Sequence, residues 1–332
     1  MKKESKFSSF FGTKHFSLLV VIVLLLIVFS VFSEGRVFNP MNIRSIFNGM
    51  VITSFFTLGG GMLILFGYID LSCGAVGSLA GCVVGWGIMT LGMPAPVSML
   101  AGIAASMLCG FVNAVMVNKL NFEAFIATMA MASVVHGVGY NLVSAQGLPI
   151  ESDLIRWIGN TKIFNQLLPI TVIVAVVFFV VCGVILGKTR FGRTVYLCGG
   201  NKQAARLSGL KPKRLSYILF TLSGGLAGVC GVLAVSRVGT SYATALDSYQ
   251  FTGLTAAMLG GIAFGGGSGD MLGAFFGMLI ISIFNNGTTL LGLDKNLATI
   301  FNGLLLVMAL AVDAVSARQR AKSWVRKSMA EM

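Results

Sequence analysis

Residues 16–33 read FSLLVVIVLLLIVFSVFS, eighteen positions without a single charge. A run of that length and composition is long enough to cross the hydrocarbon core of a bilayer as one helix. Lys2, Lys3, Lys6 and Lys14 precede it. A cleaved secretory signal is the alternative reading. Such signals have an apolar region of about 7–15 residues and end at a small-residue site. This run is longer, and Val31-Phe32-Ser33 is a poor cleavage site. The run is therefore read as a retained membrane span.

The rest of the chain follows suit. Of its 332 residues 56% are hydrophobic and 11% charged, with a mean hydropathy of +0.88. A soluble domain carries about 25% charged residues. Stretches of about 20 apolar residues divide the chain into ten spans, at 16–33, 45–66, 73–91, 97–117, 124–143, 167–186, 215–235, 251–265, 271–291 and 297–315. The fold class is an all-α polytopic membrane protein, with one transmembrane domain over 1–332.

The net charge of +13 would suit nucleic acid if it were spread over one face. Instead it is confined to inter-span segments. With the N-terminus inside, segments 1–15, 67–72, 118–123, 187–214, 266–270 and 316–332 hold 18 of the 24 Lys and Arg. This is the positive-inside bias of a membrane protein. It puts both termini in the cytoplasm, makes lipid the surrounding partner and leaves no reason to expect nucleic acid.

One cytoplasmic segment is more than a topology signal. GKTRFGRTVYLCGGNKQAARLSGLKPKR, 187–214, holds eight basic residues and no acidic one. Asn201 is a good N-cap, helix formers follow, Gly209 suits a left-handed cap and Pro212 prevents continuation. The prediction is a two-turn helix carrying Ala204 and Ala205 between Lys202 and Arg206. So short a helix is unstable alone and needs a surface to pack against, either lipid headgroups or a cytoplasmic partner.

GGNKQAARLSGL, 199–210, resembles the cytoplasmic coupling loop of permease subunits in the ribose/xylose/galactose family of ABC importers, within the branched-chain amino acid/sugar permease superfamily. GYIDLSCGAVGSLAG (67–81), FEAFIATMA (122–130), AAMLGGIAFGGGSG (256–269) and IFNNGTTLLGL (283–293) resemble further segments of that family, in its order. Tyr68 and Cys73 depart from the pattern, and Glu123 and Ala124 replace its prolines. The resemblance implies a type II ABC importer permease-like fold, as in the vitamin B12 importer permease. It implies a multi-pass protein of the bacterial plasma (inner) membrane that passes a monosaccharide or similar small solute. The implied partners are a separate ATP-binding subunit, an extracellular or periplasmic solute-binding protein, and a second permease copy or paralogue. The residues that match the coupling loop are Gly199, Gly200, Asn201, Ala204, Ala205, Arg206, Ser208 and Gly209.

No nucleotide site is expected in the chain itself. GVILGKT, 183–189, has three residues between its glycines where a P-loop has four, and it ends an apolar helix rather than following a strand. The six cysteines form no C-x-x-C pair and no cluster with histidine, so neither disulfide nor metal is expected, and no cofactor. No catalytic set of paired carboxylates stands near either interface.

The polar residues inside the apolar spans are the remaining candidates. Asp70, with Ser72, either caps the third helix or marks a broken helix at a transport path. His136 is either a hydrogen-bonded core residue or part of that path. Asn113, Asn285, Asn286 and Asn302 are read as pathway amides, with interhelical hydrogen bonding as the alternative; Asn141 is a further amide of that kind. The spacings Gly77-Gly81-Gly85, Gly224-Gly228 and Gly269-Gly273-Gly277 suit close helix packing, within the chain or between copies. The external segments 144–166 and 236–250, with Arg237 and Asp247, form a candidate docking surface for the binding protein. Asp70 and His136 also keep open a self-contained ion-coupled transporter.

Overall fold

The computed structural model describes residues 14–163 and 168–330. Lys2, Lys3 and Lys6 lie outside the described residues. The helices α1 (Lys14–Phe32), α2 (Pro40–Leu65), α3 (Cys73–Met89), α4 (Ala95–Asn118) and α5 (Ala124–Val143) supply the first five spans. A short external helix, α6 (Asp153–Asn160), precedes the sixth span, α7 (Ile170–Lys188). The 187–214 loop folds as α8 (Arg190–Gly200) and α9 (Lys202–Leu207). Then α10 (Pro212–Val238), α11 (Tyr249–Leu259), α12 (Met271–Leu290) and α13 (Lys295–Ala330) complete the ten. Four two-residue strands make two antiparallel pairs, β1 (Leu148–Pro149) with β4 (Thr240–Ser241) and β2 (Lys162–Ile163) with β3 (Leu168–Pro169).

Local chemistry fixes several ends. Pro40 opens α2 where its missing N–H costs nothing, and the Asn39 side chain accepts from the Met41 amide. Gly239 ends α10 in the left-handed conformation, at φ +74°. Three boundaries depart from the sequence reading. The eighth span stops at Leu259, because Gly261, Gly266, Gly267 and Gly269 all take positive φ. The tenth span continues as helix to Ala330, beyond the length a bilayer covers. The loop has two helices rather than one, since Thr189 caps a further helix through the Gly192 amide.

The packing repeats. Helix α2 lies against α11 and α12 as α10 lies against α3 and α4. Helix α3 touches α4 and α5 as α11 touches α12 and α13, and α2 and α10 cross at the centre. The two sets of four helices are thus related by exchange, with opposite senses across the membrane, an arrangement found in many transporters.

The segments separate cleanly to two sides. His15 bonds Asp270 at 3.0 Å, Lys213 donates to the Asn118 carbonyl at 3.1 Å, and Gly67 meets both the α8–α9 joint and the 265–267 turn. On the other side the Ile150 amide donates to the Gly239 carbonyl at 2.9 Å, and Arg237 to the Asn48 carbonyl at 3.0 Å. These groupings match the charge-poor and charge-rich segments of the sequence.

The glycine spacings are packing contacts within the chain. A Cβ on Gly231 would run into the Gly77 carbonyl, and one on Gly110 into the Phe220 carbonyl. Gly137, by contrast, has open space. Gly231→Ala and Gly110→Ala should each cost about 1–3 kcal/mol of overpacking, and Gly137→Ala far less. Thermal melting in detergent checks the contrast, and equal melting of all three variants would contradict the packing described.

Candidate functional site

The cytoplasmic loop is rooted by glycine. At the α8–α9 joint, Gly199 lies so close to the end of α2 that a Cβ would strike the Leu65 carbonyl. The same carbonyl accepts the Gly267 amide at 2.8 Å. Gly266, at φ +81°, lies against the Gly199 carbonyl and the Gly67 amide. Three segments far apart in sequence therefore meet backbone to backbone, an approach that side chains would prevent.

From this junction α9 projects as the sequence predicts. The Asn201 side chain accepts from the Gln203 and Ala204 amides at 2.9 Å each, a cap worth about 1 kcal/mol. Gly209 closes the turn at φ +82°. The two alanines part company: Ala205 is 5% exposed and joins the core, whereas Ala204 faces outward. Arg206, Ser208 and Gly200 are exposed as well. Leu207, which the sequence reading passed over, is 87% exposed.

Lys202 was also passed over as a contact. Its ammonium donates to the Gly67 carbonyl at 3.2 Å and sits 3.4 Å from the centre of the Tyr68 ring. It is a cation–π contact that ties α9 to the 66–72 segment. Desolvation by burial lowers its pKa to about 8.

That segment leads to the buried candidates. Asp70 is 2% exposed. Its carboxylate accepts from the Ser72 amide at 2.8 Å, the Ser72 hydroxyl at 2.6 Å and the Ser223 hydroxyl at 3.3 Å. Asn113 donates to the Ser72 hydroxyl at 2.8 Å. The Leu71 amide finds the Thr128 hydroxyl at 3.1 Å. Asp70, Ser72 and Asn113 thus form one knot at the start of α3, sealed between α4 and α10. The residue that precedes α3 as its N-cap is Ser72, and Asp70 holds it in place.

His136 lies elsewhere, its Nε2 2.9 Å from Asp247 Oδ1, both side chains about one-third exposed. Asp247 therefore turns inward to α5 instead of lying on the external surface proposed for it. Asn302 donates to Asn285 at 2.9 Å, joining α13 to α12, and Asn286 lies on the same turn. The seven candidates fall into three separate clusters. Segment 144–166 is folded over its described part. Strand β1 pairs with β4, and α6 buries Ile155 while Trp157 stays 57% exposed.

Among the described residues, ten apolar helices, eight of them long enough to cross a bilayer, define a polytopic membrane protein. The chain belongs to the family described as branched-chain amino acid transport system / permease component, whose model matches residues 42–310. It is similar to the fructose import permease protein of Rhizobium meliloti, at 30% identity over 93% of this chain and 85% of that one. It is similar also to the ribose import permease proteins of Bacillus subtilis and Escherichia coli, each at 31% identity. These alignments cover 88% and 90% of this chain, and 90% and 92% of those relatives. The chain is thus a transport component of the bacterial plasma membrane, with the all-α polytopic architecture expected from its sequence.

Lys202 gives a pH test. Its folded pKa of about 8 lies below the ordinary 10.5. Between those values the unfolded chain binds the extra proton, so stability rises with pH there and the charged-state penalty is full below 8. Lys202→Met should remove that rise. Melting of both chains between pH 7 and 10.5 checks it, and parallel curves would contradict the burial of this amine.

Proposed function

We propose that the chain is the membrane-spanning subunit of an ATP-driven importer, and that a separate ATP-binding subunit grips α9. The observation that carries this reading is the rooted, capped two-turn helix, which buries Ala205 and presents Ala204 and Leu207 to the cytoplasm. A small residue beside an exposed leucine suits a groove on a partner. Lys202 and Gly199 connect any displacement of α9 to the end of α2, to the 66–72 segment and to the 265–267 turn. ATP-driven closure of two such partners would then rock the helix sets between outward and inward access. Two permease copies, or one and a paralogue, would form the path between them. An external binding protein would deliver the solute to the surface built from β1, β4 and α6.

The solute class is a monosaccharide or similar small polyol. Three relatives named for fructose or ribose import support it, as do the polar clusters free of any strong fixed charge beyond Asp70 and Asp247. The ion-coupled alternative is not favoured, because those relatives are import permeases of the same family.

Ala204→Glu and Leu207→Glu should each abolish co-purification of the ATP-binding subunit and ATP-driven uptake, with the melting temperature unchanged. Gly199→Ala should lower uptake while Gly200→Ala, whose added Cβ meets nothing within 4 Å, should not. Normal uptake by both glutamate variants would overturn the assignment of α9.

A further inference from the structure

Helix α5 has three faces. Ala127, Met131, Val135 and Gly139 are buried against the bundle. Ala130, Val134 and Val138, four residues apart, form an exposed apolar stripe suited to lipid. Between these lies a third stripe at helical spacing: Met129, Ser133, His136 and Tyr140. Its members are exposed or partly so, at 49% for Met129 and 46% for Tyr140. Ser133, His136 and Tyr140 make this stripe more polar than the Ala130–Val134–Val138 face.

The stripe meets Asp247 at about half the depth of the membrane. Helix α11 begins two residues after Asp247 and reaches the cytoplasmic glycine junction after 11 residues, about 16 Å of rise against a core of about 30 Å. The start of α3 lies beside it, with a Cβ on Gly74 only 2.8 Å from the Leu246 carbonyl. The exchange of helix sets makes Asp247 the counterpart of Asp70, since each precedes a helix that starts inside the bundle. Asp70 is sealed by serines. Asp247 keeps an open side, with His136 as its neighbour.

A carboxylate facing hydrocarbon at that depth would be costly, so lipid is a poor occupant for this stripe. A polyhydroxylated solute is a good one. Asp247 accepts from its hydroxyls, His136 offers a second nitrogen, and Ser133 and Tyr140 add hydroxyls. Met129 supplies an apolar patch for the carbon face of a sugar ring. We propose that the Asp247–His136 pair and the Ser133–Tyr140 stripe of α5 form the solute-contacting subsite of the transport path. It rests on the importer reading above and names the residues that touch the cargo.

The test has two arms. In membranes carrying the full chain, a membrane-impermeant thiol reagent should label Ser133→Cys and leave Val134→Cys at the background of the parent chain. Equal labelling of the two overturns the subsite, as does a Ser133→Cys that resists the reagent and cross-links two copies. In the complete reconstituted complex with D-ribose or D-fructose, Asp247→Asn should lower the kcat/KM of uptake by about tenfold or more, the worth of one lost charged hydrogen bond. ATP hydrolysis should persist. Parental uptake by Asp247→Asn also overturns it. Absence of ATP-driven uptake by the parent complex would count against the importer reading alone, because the labelling contrast stands apart from the energy source.

Discussion

Backbone that leaves a helix inside a membrane must find its hydrogen bonds within protein, and this chain meets that demand twice. Before α3, the Leu71 amide goes to Thr128 and the Ser72 amide to Asp70. Before α11, the 239–248 segment is pinned from both ends. Strand β4 pairs with β1, the Ser241 hydroxyl reaches the Gly81 carbonyl, and the Leu246 amide reaches the Ser78 hydroxyl. The first break is held by Thr128 of α5 and by its own Asp70, the second by Ser78 of α3 and by its own Ser241. Close packing by glycine follows from the same demand. Gly74 and Gly85 let the irregular segment 239–248 lie directly on α3, where a Cβ would intrude.

The cytoplasmic junction extends this logic to the surface. Leu65 is the last residue of α2, and its carbonyl cannot be satisfied within the helix. The Gly267 amide fills that role, with Gly199 pressed against the same oxygen. The 187–214 loop is therefore joined to the end of a central helix by backbone atoms, which have little freedom to yield. Lys202 adds a second tie one residue past the Asn201 cap, to Gly67 and Tyr68. A pull on α9 is delivered to α2 and to the 66–72 break with little slack between them.

Much of this was legible in the sequence, for identifiable reasons. Ten apolar runs, nine of them charge-free and the tenth broken only by Asp313, marked the spans, because the bilayer penalises a buried charge. Asn201 and Gly209 marked α9, because caps are local chemistry. The sequence did not show which way Ala204 and Ala205 face, since a two-turn helix has no periodicity to read. It hid α8, whose start depends on a single Thr189 hydroxyl. The sequence alone also does not settle whether spans two to five and seven to ten form an inverted repeat. The Gly-rich stretches 67–74 and 261–269 look alike by composition, yet both lie at the cytoplasmic end. The true counterpart of 66–72 is 239–248, which shares with it an aspartate and a serine before a helix but little else that a linear comparison detects. Asp247 accordingly reads as a surface residue of an external loop until the fold carries that loop inward.

The two aspartates show what the repeat contributes. Duplicated architecture gives two equivalent breaks, but only one need serve the path. At Asp70 three hydroxyl and amide donors occupy the carboxylate, and the aromatic rings of Tyr68, Phe66 and Phe220 close over the segment's cytoplasmic end. A carboxylate so committed has nothing left for a solute, and its role is to fix the angle between α2 and α3. At Asp247 a histidine from a flanking helix, rather than a serine, meets the carboxylate. The same fold element thus acts as a fixed hinge post on one side and an open polar face on the other. The fixed post is the one that adjoins α9, through the contacts of Lys202 with Gly67 and Tyr68.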